Sequence, residues 1–196
     1  MPRIRVIDET EADGDLRDVY AELMSSRGKL AEVHKVQSLN PQSIRDHMAL
    51  YMTTMFARSP ISRAEREMMA VVVSATNGCR YCIAHHAQAL DHFWKDPERV
   101  VDLARERGEL EGLSPRAAAL CRYAQLVTEA PDSPQVATII DRLRAHGLDD
   151  RAILDATLVA SYFNFVNRMV LALDVEIEDD PGGYRYDGEC AAKEDS

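Results

Sequence analysis

The sequence predicts an all-α protein, and three observations carry that reading. Helix-start signals recur along the chain, apolar residues between them repeat at helical spacing, and no convincing alternating strand interrupts them. In "LNPQSIRDHMALYMTTMF", Asn40 is placed to cap a helix that opens on Pro41. Ile44, Met48, Tyr51, Met52 and Met55 then fall on one face. "SPISRAEREMMAVVVSATNG" offers a capping box, Ser62 with Glu65, and a stop at Asn77-Gly78. Its three valines suit a strand, but the box and the stop argue for a helix. Cys79 and Cys82 then open the next helix. A further start at Ser114-Pro115 stacks Ala117, Leu120, Cys121, Ala124 and Val127. "SPQVATIIDRLRAHGL" repeats the pattern and stops at Gly147. "DDRAILDATLVASYFNFVNRMVLALDV" is apolar almost all round, which predicts a centrally buried helix.

The bulk properties narrow the function classes. At 196 residues the chain suits one domain, expected over residues 1–178, with an acidic tail at 179–196. The net charge of −10 disfavours binding to a phosphate backbone, so no nucleic acid is expected as a partner. From Asp174 onward nine acidic side chains face two basic ones, which suits a solubilising tail. The start, "MPRIRVIDETEADGD", is too charged for a signal peptide, and no apolar run reaches the ~20 residues of a membrane span. A cytoplasmic protein off the membrane is the expectation, and there cysteines stay reduced unless catalytic or metal-bound.

The chemistry concentrates in "NGCRYCIAHH", residues 77–86. Cys79, Cys82 and His86 stand at i, i+3 and i+7, close together on one helical face. A thiol in a first helical turn meets unpaired N–H groups and the positive end of the dipole, which favour thiolate. One thiol is therefore expected below the ordinary value of about 8.5, with Cys82 the more acidic if His86 is its base. A C-x-x-C pair so placed can run thiol exchange or peroxide reduction. A zinc site built from Cys79, Cys82 and either His85 or His86 is the metal alternative. Glu67 enters only if the chain reverses at Asn77-Gly78. Along one continuous helix it would lie about 18 Å from Cys79, too far for any relay.

Glu67, eleven residues, Cys79-x-x-Cys82, three residues and His86 together resemble the alkylhydroperoxidase D core of the carboxymuconolactone decarboxylase-like superfamily. The stretches from Asn40 to His86 and from Ser161 to Glu178 resemble its peroxidase-related branch. The resemblance implies a compact helical domain that reduces hydroperoxides with an external thiol donor, without cofactor or metal, in homo-oligomers such as trimers or hexamers. Carried across by position, Cys82 becomes the sulfenic acid, Cys79 resolves it, and His86 and Glu67 relay the proton. One departure stands out: alkylhydroperoxidase D enzymes carry histidine just before the second cysteine, and here it is Tyr81. That leaves the reductant open. A decarboxylase-type lyase on the same scaffold is the second reading; it has no need of the thiol pair. His85 lies beside the motif without matching it and is expected to pack or face solvent. Cys121 is expected in the core and Cys190 exposed in the tail. Asn164 and Asn167 are expected to satisfy helix ends or a subunit contact.

Overall fold

The computed structural model describes residues 1–181, which hold nine helices and no strand. Cys190 and most of the acidic stretch from 179 lie outside the described residues. In chain order the helices are α1 (Gly14–Arg27), α2 (Glu32–Lys35), α3 (Pro41–Met55), α4 (Arg63–Thr76), α5 (Arg80–Trp94), α6 (Pro97–Arg105), α7 (Pro115–Glu129), α8 (Pro134–Ala145) and α9 (Asp150–Leu173).

The centre of the molecule is α4. Every residue from Arg66 to Ala75 is buried, with α5, α7 and α9 packed around it. The expected capping box is present: Ser62 Oγ accepts from the Glu65 N–H, and the Glu65 carboxylate accepts from the Ser62 N–H. Burial on all sides outweighs the modest cost of three valines in a helix. A second, smaller core forms where Leu16, Val19, Tyr20 and Leu23 of α1 meet Ile44 of α3.

The expectation that the longest helix is central needs correcting. By length and composition α9 could cross a membrane, yet its buried side packs on α3, α4 and α7 within the domain. Away from that packing, Leu154, Leu158, Phe165 and Leu171 are exposed. Leu154, Leu158 and Phe165 lie within about 40° of one another around the helix axis and form one stripe, with Leu171 about 100° away. The apolar run was wide enough to suggest burial all round, but only part of its circumference is covered.

Two features place the site. α4 ends in a Schellman-type turn, with Gly78 at φ 69° and the Cys79 N–H bonded to the Ser74 carbonyl at 2.8 Å. The chain reverses there, so α5 runs back along α4. The second feature is a polar tie from that turn to α9. Asn77 Nδ2 donates to Asn164 Oδ1 and Asn167 Oδ1, both at 3.0 Å. The two asparagines thus hold the side chain of the residue that ends α4, rather than its free backbone groups, and lock the turn that presents the cysteines.

Candidate active site

Cys79 is the N-cap of α5 and Cys82 sits in its first turn, with their sulfurs 3.0 Å apart as free thiols. Their surroundings differ. Cys79 is sealed at 0% exposure, whereas Cys82 lines a cavity of about 60 Å³ between α3, α5 and α9. His86, one turn further along α5, lines the same cavity.

The hairpin brings Glu67 to that level. Its carboxylate is fully buried, with Oε2 2.7 Å from His86 Nδ1. Oε1 accepts from Arg63, whose Nε lies 2.9 Å away and whose guanidinium covers the Phe56 ring. Burial pushes the Glu67 carboxyl up, but His86 and Arg63 outweigh it and hold the group below its ordinary range. An ionised carboxylate only accepts hydrogen bonds, so the hydrogen of His86 resides on Nδ1 and Nε2 is left for chemistry. All four residues named from the sequence therefore meet at one place.

The order of thiol acidity departs from expectation. A hydrogen bond from Cys82 lowers the Cys79 thiol, and the backbone N–H groups of Cys82 and Tyr81 hold it down against burial. Cys82 is pushed well up, first by that same hydrogen bond, then by burial and the neighbouring Cys79 charge. The side-chain amide of Asn167 offsets part of this. The reason is positional: the helix-start N–H groups converge on the N-cap residue, and that residue is Cys79. Cys79 is therefore the more readily ionised of the two, while Cys82 is the thiol that faces the cavity.

Glu178 was not legible in the sequence as a partner of Tyr81 and His85. Glu178, from the segment after α9, accepts from the Tyr81 hydroxyl at 2.8 Å and from the Glu32 N–H at 2.7 Å. It also pairs with His85 Nε2 at 2.8 Å. Burial raises its carboxyl, but His85 and the Glu32 N–H carry it down to about 2. His85 thus packs, as expected, and Tyr81 ties the later chain onto α5. Among the described residues no group of three His, Cys, Asp or Glu side chains is arranged to hold a metal ion. Cys121 is buried in the core, where burial pushes its thiol up to about 12.

The remaining cavity wall holds two neutral imidazoles. Burial takes His34 down to about 3, and burial alone takes His47 down to about 4. An unfolded histidine binds its proton near 6.5, so below that pH the unfolded chain gains protons that these folded residues refuse. Stability should therefore fall as pH drops from about 6.5 toward 4, by up to about 3 kcal/mol for His47. His47→Gln should flatten that slope of thermal midpoint against pH. An unchanged slope would mean that His47 titrates normally in the folded protein.

Similarity to known proteins follows this geometry. The carboxymuconolactone decarboxylase family profile matches residues 42–126, from α3 into α7. The structure superposes on an alkylhydroperoxidase AhpD core from Ralstonia eutropha JMP134, an uncharacterized peroxidase-related protein, with a TM-score of 0.80. Identity there is 24% over 91% of this chain and 93% of the other, a likeness of fold. A peroxidase-related protein from Silicibacter sp. TM1040 has a TM-score of 0.77 and 29% identity, covering 93% and 96% of the two chains. The Bacillus subtilis (strain 168) protein YdfG is 27% identical over 116 residues, 59% of this chain and 78% of its own. The helical fold, the family match over residues 42–126 and the peroxidase-related neighbours all support the resemblance to the alkylhydroperoxidase D and carboxymuconolactone decarboxylase-like superfamily, in its peroxidase-related branch.

Proposed function

We propose that this protein reduces hydroperoxides through Cys82 and Cys79. The observation that carries the reading is the asymmetry of the pair: only Cys82 lines the cavity, which it shares with His86. In the reaction, His86 Nε2 takes the Cys82 proton and the Cys82 sulfur attacks the outer peroxide oxygen. An S–O bond forms, the O–O bond breaks, and the departing alkoxide receives the proton back from His86. Cys79, the more acidic thiol, then gives up its proton to solvent and attacks the Cys82 sulfenic acid. The S–S bond forms, and hydroxide leaves as water with a proton from solvent. An external thiol restores the dithiol, and a reducing compartment such as the cytoplasm would supply one. Mass spectrometry of the reduced, metal-free protein, before and after one equivalent of hydroperoxide, tests this. The expected product has lost two hydrogens, with Cys79 and Cys82 joined. An unchanged mass would end the peroxidase reading and leave the lyase alternative, which uses neither thiol.

The same reading includes assembly as a homo-oligomer, a trimer or hexamer. It is supported by the α9 stripe of Leu154, Leu158 and Phe165, an apolar surface that a second copy could cover. Light scattering at micromolar concentration should give a mass above the 22.0 kDa chain. Phe165→Glu should shift it toward one chain. A wild-type monomer would refute the assembly.

A further inference from the structure

The cavity wall opposite α5 contains a hydrogen-bond chain whose direction is fixed. Gln37 Nε2 lies 2.8 Å from the Val33 carbonyl oxygen and 2.8 Å from His47 Nδ1. A carbonyl can only accept, so the amide nitrogen occupies that position and spends its second hydrogen on His47. His47 Nδ1 is therefore an acceptor. Burial keeps the imidazole neutral, so its one hydrogen is on Nε2, 2.7 Å from the Tyr162 hydroxyl oxygen. Tyr162 accepts that hydrogen and retains its own, for which no second partner occurs among the described residues. Its ring lines the cavity with Cys82.

An independent observation points the same way. His34 lines this wall at 7% exposure, and its Nδ1 is buried without a hydrogen-bond partner. A buried polar atom left unpaired is costly, and a ligand with a polar group relieves the cost. The wall is built to meet oxygen or nitrogen, although the rings around it are apolar.

We propose that Tyr162 is a catalytic residue whose hydroxyl donates to the departing oxygen of the hydroperoxide, with His47 and Gln37 as positioning residues that fix its direction. This rests on the peroxidase reading above. As the Cys82 sulfur bonds to the outer oxygen, the electron pair of the breaking O–O bond moves onto the inner oxygen. The Tyr162 O–H stabilises that growing charge in a cavity with little water to do so. The phenol keeps its proton throughout, since burial holds its acidity well below that of an ordinary tyrosine. The proton that completes the alcohol comes from His86.

The test is single-turnover oxidation of the reduced full chain with two small oxidants. tert-Butyl hydroperoxide must expel a strongly basic alkoxide, whereas peracetic acid expels acetate, which needs no donor. Tyr162→Phe should slow the first by about 10²-fold and the second by less than about 3-fold. His47→Gln can still accept from Gln37 and donate to Tyr162, so it should retain most of the alkyl hydroperoxide rate. His47→Leu should lose it. Equal slowing with both oxidants, or no slowing with either, would overturn the role of Tyr162. If Tyr162→Phe did not fold, the contrast between His47→Gln and His47→Leu decides alone, and equal rates for those two overturn it. A wild type inert to both oxidants would instead defeat the peroxidase reading.

Discussion

Cys82→Ser is expected to abolish hydroperoxide consumption, while Cys79→Ser is expected to allow one turnover and then stop. The two thiols touch, so the difference comes from what each faces. Cys82 lines the cavity and Cys79 has no exposed surface. Acidity alone would choose the other thiol, since Cys79 is lowered and Cys82 raised. Access decides, because a nucleophile must reach its substrate, and His86 can remove the Cys82 proton as attack proceeds. The acidity of Cys79 serves the second step, in which the more readily ionised thiol attacks the sulfenic acid before a second peroxide can. In Cys79→Ser that protection is lost, and mass spectrometry should find one and then two oxygens added at Cys82. If Cys79→Ser were dead and Cys82→Ser trapped the oxidised thiol, the two roles would have to be exchanged.

Glu67→Gln should slow the first oxidation by about 10²-fold or more while leaving both thiols open to alkylation after unfolding. The carboxylate has no exposed surface, and its two oxygens are divided between Arg63 and His86. An amide can still accept one hydrogen bond but supplies no charge. His86 loses the partner that stabilises its protonated form midway through the reaction, and Arg63 loses its counter-ion. Removing one member of a buried charge group typically costs about 3–5 kcal/mol, so lower stability should accompany the slower rate. The pH dependence has a defined sign. The folded Glu67 carboxyl is held below the ordinary 4.5, so its contribution is full above that value and is lost as pH falls through the lowered one. Denaturant midpoints of wild type and Glu67→Gln should accordingly converge in acid. Equal midpoints at neutral pH would show that the buried carboxylate does not stabilise the fold.

What the sequence made legible was local. Ser62 with Glu65, Ser114-Pro115, Ser133-Pro134 and Asn77-Gly78 are signals read within four residues, and each stands at a helix boundary. The four-residue site was legible because its spacing resembles a known family motif, and a reversal at Asn77-Gly78 is what that motif requires to bring Glu67 to His86. The starts of α1 and α6 passed without notice, although Asp96-Pro97 has the same grammar. Glu178, His34, His47 and Tyr162 could not be read at all. Glu178 meets Tyr81 across 97 positions and His47 meets Tyr162 across 115, and a lone histidine has no spacing to betray its partner. The acidity order was missed for a subtler reason. Helix-start stabilisation was credited to the turn as a whole, whereas the converging N–H groups single out the N-cap residue.

The asparagine tie and the Glu178 anchor have a consequence for biosynthesis. Translation delivers α4, the turn and α5 well before α9 exists. Tyr162, Phe163 and Val166, which close the cavity, arrive more than seventy residues after Cys82, and Glu178 follows them. A nascent chain on the ribosome thus carries its thiol pair without the wall that screens it or the amide of Asn167 that supports Cys82. Until α9 docks, the thiols are open to any passing oxidant or cysteine. Newly made chains would then depend on a reducing environment for the interval between synthesis of the motif and arrival of its cover.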